Sequence, residues 1–171
     1  MPRPRTAIVA AASALALMPA TASAHHATMS ALDRHFAKAA AQSNLFEIQG
    51  ARTALAKSET PAVRQVATRI LRDHTHAQAM LRPVAADLHV RLPRSPNPLQ
   101  KWTLARTARL DGAAFDVAFL RLQEAGHRTA ISLFGEEARE GQNPDARGYA
   151  VMHLPGLRAH LALARQTLKS L

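Results

Sequence analysis

Apolar residues recur at intervals of three and four through four long segments of the chain. This spacing places them along one face of an α-helix, because a helix turns once every 3.6 residues. Alanine, leucine, arginine and glutamine, which favour helices, fill most of the remaining positions, and no run of alternating apolar and polar residues predicts a strand. The pattern therefore predicts an all-α protein whose segments pack through their apolar faces.

Capping residues and prolines predict where each segment begins and ends. The long segments are expected from about Ser30 to Lys57, from Thr60 to about His89, from Asp111 to about Gly141, and from Asn143 onward. Three prolines in "VRLPRSPNPLQK" predict an irregular linker, followed by a short helix at about 101–109. Two helical hairpins joined in this way describe a four-helix bundle, and a long connection is compatible with a ferritin-like crossover.

The N-terminal residues follow the order of an export signal. Two arginines precede an apolar run, and the small residues at 22–24 form a cleavage site between Ala24 and His25. The apolar run is shorter than the roughly 20 residues that a membrane-spanning helix needs. We therefore predict a signal peptide at residues 1–24 and a single helical domain at residues 25–171, with its core from about residue 30. The mature protein is predicted to be periplasmic or secreted.

Composition restricts the partners and the chemistry. Lysine and arginine number 22 against 12 acidic residues, so a protein with a formal net charge of +10 is expected to meet anionic envelope lipids or acidic polymers. One tryptophan and one tyrosine are too few to stack single-stranded nucleic acid, which is not expected as a partner. The absence of cysteine excludes disulfides and thiolate ligands, so any metal site must use histidine, aspartate or glutamate.

Several polar residues interrupt the apolar faces near the middle of the segments. They are Glu47 in the first segment, Asp73 and His74 in the second, Glu124 and His127 in the third, and His160 in the fourth. The helical period places them on the inward faces or at their borders. Along the helix axes, Glu47, His74, His127 and His160 lie within roughly 5 Å of the midpoints of their segments, at a rise of about 1.5 Å per residue. Side chains from all four helices are therefore expected to converge on one central layer.

Two interpretations of this layer stay open, because buried carboxylates and imidazoles must meet one another, water or a metal. In the first, five of these residues bind a divalent metal, and Asp73 is either a further ligand or a group that orients an imidazole. Nitrogen and oxygen ligands suit zinc, iron, manganese or copper. In the second, they form a buried hydrogen-bonded layer, and the basic surface contacts partners of the cell envelope. No catalytic residue is predicted, since no serine lies in a G-x-S-x-G turn; metal-assisted redox chemistry is the best enzymatic alternative.

Four stretches of the chain occur in an order and spacing that resembles a bacterial exported family, domain of unknown function 4142. They are "NLFEIQGARTAL", "VRQVATRILRDHTHA", "LDGAAFDVAFLRLQEAGH" and "LPGLRAHLALA". The resemblance covers about residues 35–168 and implies a ferritin-like helical fold, an exported location and no established activity. The residues that it implies to recur are Glu47, His74, His127 and His160. Ferritins and di-iron oxidases carry E-x-x-H on two helices, whereas here only Glu124 and His127 complete the motif, which favours one metal ion or none.

Overall fold

A computed structural model describes residues 30–171; the predicted signal peptide and its cleavage site lie outside these described residues. Every regular element from residue 30 onward is an α-helix, which confirms the all-α class. The helices are α1 (Ala31–Lys57), α2 (Pro61–Asp87), α3 (Pro98–Thr107), α4 (Gly112–Glu140) and α5 (Pro144–Ser170). Over this part of the chain, no helix combines the length and the apolar character that crossing a membrane requires.

Capping side chains begin two of the four long helices where the sequence predicts, whereas Thr60 at the start of α2 makes no capping hydrogen bond. Ser30 and Asp33 form a capping box at the start of α1, and the side chain of Asn143 accepts a backbone hydrogen bond at the start of α5. Asp111 occupies the N-cap position of α4 but makes no capping hydrogen bond. Its carboxylate instead accepts a hydrogen bond from Lys57 Nζ at 2.6 Å, which connects the start of α4 to the end of α1.

Helix α3 begins earlier than the sequence predicts. It starts at Pro98 because Asn97 and Gln100 form a capping box, and because a proline in the first turn lacks only an N–H group that the helix does not use. The expectation that all three prolines keep the linker irregular is therefore wrong for Pro98. No residue of α3 is buried, and the helix lies on the outside against α1 and α4.

Two apolar clusters at opposite ends of the long helices establish their directions. The first cluster contains Phe36 from the beginning of α1 and Leu81 and Phe134 from the later parts of α2 and α4. The second contains Ile70 and Phe119 from the earlier parts of α2 and α4, together with the last third of α1 and of α5. Helices α1 and α5 therefore run in one direction, and α2 and α4 run in the other.

Each long helix packs mainly against two antiparallel neighbours. The contacting pairs are α1 with α2, α4 with α5, α1 with α4, and α2 with α5. Because α2 ends at the first apolar cluster and α4 begins at the second, the connection at residues 88–111 runs along the length of the helices. The polar residues near the middle of the helices lie between the two apolar clusters.

Candidate metal centre

Three buried histidines from three helices meet between the apolar clusters. They are His74 of α2, His127 of α4 and His160 of α5, and one ring nitrogen of each lies within 4.8 Å of the others. His74 Nε2 is 3.5 Å from His127 Nε2, and His127 Nε2 is 3.2 Å from His160 Nδ1. These three residues are called the histidine cluster below.

The proton on His74 is located by a chain of hydrogen bonds that ends at the backbone. The hydroxyl of Tyr149 donates to the carbonyl of Ala77 at 3.1 Å, so it can only accept from Asn44 Nδ2, at 3.2 Å. The amide oxygen of Asn44 must then face His74 Nδ1, which lies 2.9 Å away and donates to it. A neutral imidazole carries one proton, so His74 Nε2 presents a lone pair to the cluster.

The other two histidines are oriented in the same way. His127 Nδ1 donates to the backbone carbonyl of Gln123 at 2.9 Å, and His160 Nε2 donates to Asp73 Oδ2 at 2.8 Å. Burial raises the pKa of Asp73, but hydrogen bonds from Arg72 and His160 outweigh this effect and lower the pKa below its usual value. Asp73 is therefore an ionised acceptor, and both inner nitrogens, His127 Nε2 and His160 Nδ1, carry lone pairs.

The three facing nitrogens are thus all acceptors, with no donor among them. Burial lowers the pKa of all three imidazoles, that of His127 to about 4, and repulsion from the other imidazoles adds to the effect for His74 and His127. Tetrahedral metal ions bind imidazole at about 2.0–2.1 Å, which separates ligand nitrogens by about 3.3 Å. The two separations from His127 Nε2, 3.2 and 3.5 Å, match that spacing, and one ring nitrogen of each histidine lies within 4.8 Å of the others. The cluster can therefore hold one metal ion.

Glu47 is buried next to the histidine cluster but on the other side of His127. Its Oε1 lies 3.8 Å from His127 Nδ1, which is the nitrogen that faces away from the other two histidines. Burial raises the pKa of Glu47 to about 8, so the side chain is protonated at neutral pH. A Cβ atom at Gly126 would lie 2.8 Å from Glu47 Oε1, so the carboxyl group packs against bare backbone.

Glu124 lies outside the cluster, contrary to the expectation of a shared inward face with His127. Its carboxylate accepts from Arg165 Nε at 2.9 Å, lies 3.7 Å from Arg128 Nη1, and is partly exposed. The inward face of α4 passes through Gln123 instead, which is fully buried. The E-x-x-H motif therefore contributes its histidine to the cluster and its glutamate to a surface ion-pair network.

Comparison with known proteins places the chain in a family. The sequence pattern of the family described as "Domain of unknown function (DUF4142)" matches residues 18–167. The chain belongs to the DUF4142 family. The crystal structure of a DUF305 fragment from Deinococcus radiodurans is similar at a TM-score of 0.74 and 15% identity, over 83% of this chain and 98% of that one, and at this identity it shows the fold alone. No curated protein matches.

Sequence reasoning missed three residues of this DUF4142 protein that orient the cluster. Asn44 lies three residues before Glu47 and in the same buried stripe, so the helical period could have included it. Gln123 lies four residues before His127, which also places it on the inward face. Tyr149 lies eleven residues before His160 and so follows the same helical period, but nothing in the sequence indicates its hydrogen bond to Asn44, which is 105 residues away.

Proposed function

We propose that this DUF4142 protein binds one divalent metal ion through His74 Nε2, His127 Nε2 and His160 Nδ1. The observation that carries the proposal is that an outer acceptor fixes each imidazole so that three lone pairs converge. Metal-binding histidines commonly donate their second N–H to such acceptors. A layer held together only by hydrogen bonds between the histidines would need a donor among the facing nitrogens, and the outer acceptors leave none.

The ligand set favours zinc, iron or copper(II) over manganese among the four metals considered. Three imidazole nitrogens suit these ions, whereas manganese prefers carboxylate oxygens. Glu124 is engaged by arginines and Glu47 lies behind His127, so neither supports a second ion. The proposal is therefore a mononuclear site, not the dinuclear carboxylate centre of ferritins.

The setting that we propose for this site is an exported, ferritin-like four-helix bundle of one domain. Antiparallel neighbours and a connection along the whole length of the helices support that architecture. The basic, apolar and small residues at the N-terminus support signal cleavage near Ala24 and His25, and hence a periplasmic or secreted protein.

The test is metal content and metal-dependent stability. Untagged mature protein purified from its native source should contain about one zinc, iron or copper ion, measured by elemental analysis. Adding zinc to the metal-free protein should raise its melting temperature. A free zinc concentration 100 times Kd should raise the free energy of unfolding by about 2.7 kcal/mol. The variant His74→Ala/His127→Ala should lose both effects.

The matched control removes two exposed imidazoles. His35→Ala/His76→Ala should bind metal as the wild type does, because neither residue is buried or belongs to the histidine cluster. Equal metal content in the His74/His127 double variant and in the wild type would contradict the assignment.

A second candidate function, contact with an anionic lipid surface, is favoured by α3 and its flanks. Residues 88–110 contain five arginines or lysines and no acidic residue. Within this segment Leu99 and Trp102 are 71% and 58% exposed, and the guanidinium of Arg106 lies 5.3 Å from the Trp102 ring centroid. Exposed aromatic and aliphatic side chains among basic ones are suited to the interface of an anionic bilayer.

Vesicle sedimentation tests this second function. We expect the protein to bind vesicles of phosphatidylglycerol at low ionic strength and to bind phosphatidylcholine vesicles much more weakly, because the attraction is electrostatic. Leu99→Ala/Trp102→Ala should weaken binding, whereas Val151→Ala/Met152→Ala, which removes exposed apolar residues of α5, should not. Equal binding by both variants would exclude Leu99 and Trp102 from the contact surface.

A further inference from the structure

A pocket of about 450 Å³ connects the histidine cluster with solvent. His74 and His160 line it, together with the apolar side chains of Phe134 and Leu157 and the ring of Tyr149. His127, the third member of the cluster, does not line it. A tetrahedral ion bound to the three nitrogens has one remaining coordination position, and the pocket is where a group from solvent can reach it.

The polar groups of the pocket favour a negatively charged ligand. Asp73 is the one acidic residue among the described residues that line it, and its carboxylate is already bound by His160 and Arg72, both at 2.8 Å. His76 also lines the pocket, as does His153, whose Nε2 is buried without a hydrogen-bond partner. The walls thus offer the guanidinium group of Arg72 and an unused imidazole nitrogen, and no free carboxylate.

We infer that the pocket binds a small organic carboxylate whose carboxylate group completes the coordination of the metal ion. The inference rests on the proposed function. A divalent ion with three neutral imidazole ligands keeps its full positive charge, which attracts an anion. The apolar body of the ligand would pack against Phe134, Tyr149 and Leu157, and the volume is within the usual range for small-molecule sites.

Two glycines of α5 provide a matched pair of variants. Gly156 lines the pocket, and a Cβ atom there would meet no other atom within 4 Å. Gly148 also has open space around its Cβ position but does not line the pocket. Gly156→Leu is expected to occupy part of the pocket without touching a metal ligand, and Gly148→Leu makes the same chemical change outside it.

The experiment uses Co²⁺ as the metal and benzoate as the carboxylate. The visible absorption of Co²⁺ depends on its ligands, so titration with benzoate should change the spectrum of the Co²⁺-loaded protein. Benzoate should bind at least about tenfold more tightly than acetate, because only benzoate buries an apolar ring. Gly156→Leu should retain Co²⁺ and bind benzoate about tenfold more weakly, and Gly148→Leu should behave as the wild type.

The outcomes separate this inference from the proposed function. Failure of the wild type to bind Co²⁺ through the histidine cluster would overturn both. Co²⁺ binding with a spectrum that benzoate does not change would overturn only the carboxylate site. Equal affinity for benzoate and acetate, or unchanged benzoate binding in Gly156→Leu, would also overturn it, since the apolar walls would then contribute nothing.

Discussion

Asp73 determines which nitrogen of His160 is free to bind a metal. Its carboxylate accepts the Nε2 proton at 2.8 Å and leaves the lone pair of Nδ1 facing His127. In Asp73→Asn the amide can present its NH₂ group to Nε2, which would move the imidazole proton to Nδ1. We expect this variant to bind zinc about 10- to 100-fold more weakly, measured by competition with a chelating dye.

The control for Asp73→Asn is Asp111→Asn. This change removes the same charge from an exposed pair with Lys57, away from the histidine cluster. Zinc affinity should be unchanged. An equal loss in the two variants would mean that net charge, and not the orientation of His160, determines the affinity.

The carboxyl group of Glu47 packs against the bare backbone of Gly126. A Cβ atom at this position would lie 2.8 Å from Glu47 Oε1. Alanine normally stabilises a helix by about 1 kcal/mol relative to glycine, yet here it must displace a buried carboxyl group. We expect Gly126→Ala to lower the free energy of unfolding in urea, whereas Gly148→Ala, with open space around the new methyl group, should raise it. A stabilising Gly126→Ala would show that Glu47 has room to move.

The start of α1 and the end of α4 bury two carboxyl groups, Asp33 and Glu137. Burial raises the pKa of Asp33, but hydrogen bonds from Ser30, Gln142 and Asn143 outweigh it and lower the pKa below its ordinary value. Burial, and then the neighbouring Asp33, raises the pKa of Glu137 from its ordinary value of 4.5 to about 8. Glu137 is therefore protonated in the folded protein and ionised in the unfolded chain at neutral pH.

This difference predicts a pH dependence of stability. A group whose pKa is raised on folding contributes fully below its unfolded pKa, and the contribution is lost as pH rises through the folded pKa. The contribution of Glu137 should therefore decline between about pH 4.5 and about pH 8. We expect the wild type to lose more thermal stability than Glu137→Gln over this interval, measured by circular dichroism. The buried histidines are present in both proteins, so their contribution to the pH dependence of stability is the same in each.

Glu140→Gln is the control, because Glu140 is exposed at the same end of α4. Its pH profile should follow that of the wild type. If thermal stability depended on pH in the same way in Glu137→Gln, Glu140→Gln and the wild type, the raised pKa of Glu137 would be contradicted.

At the level of helices, the sequence predicts the elements better than their interfaces. The spacing of apolar residues suffices for the four long helices, because it reports which face is buried. It does not distinguish Gln123 from Glu124 as the inward residue of α4, since spacings of four and of three residues to His127 both fit one helical face. In the folded chain Glu124 pairs with Arg165 of α5 at the surface, and this partner is not evident from the sequence. The tautomer of His74 likewise depends on Asn44 and Tyr149, which only the folded chain brings together.

In the whole molecule, the histidine cluster interrupts the apolar interior between its two halves. The first apolar cluster lies on one side of it and the second on the other. A metal ion would join α2, α4 and α5 at this level, since each contributes one histidine. We expect metal binding to slow hydrogen exchange of backbone amides in the central turns of these three helices. Helix α3 serves as an internal control, because it contributes no histidine to the cluster.

The connection at residues 88–111 links the part of the chain that carries His74 to the part that carries the other two histidines. His74 precedes this segment, whereas His127 and His160 follow it, so the segment is the covalent link between the two groups of ligands. Cleavage of the connection by a protease would leave two helical hairpins, and the intact metal site would then require both fragments. Metal affinity is independent of protein concentration in the continuous chain and would become dependent on it once the two hairpins can dissociate. The ion would then add to the packing of α1 with α4 and of α2 with α5 that holds the hairpins together.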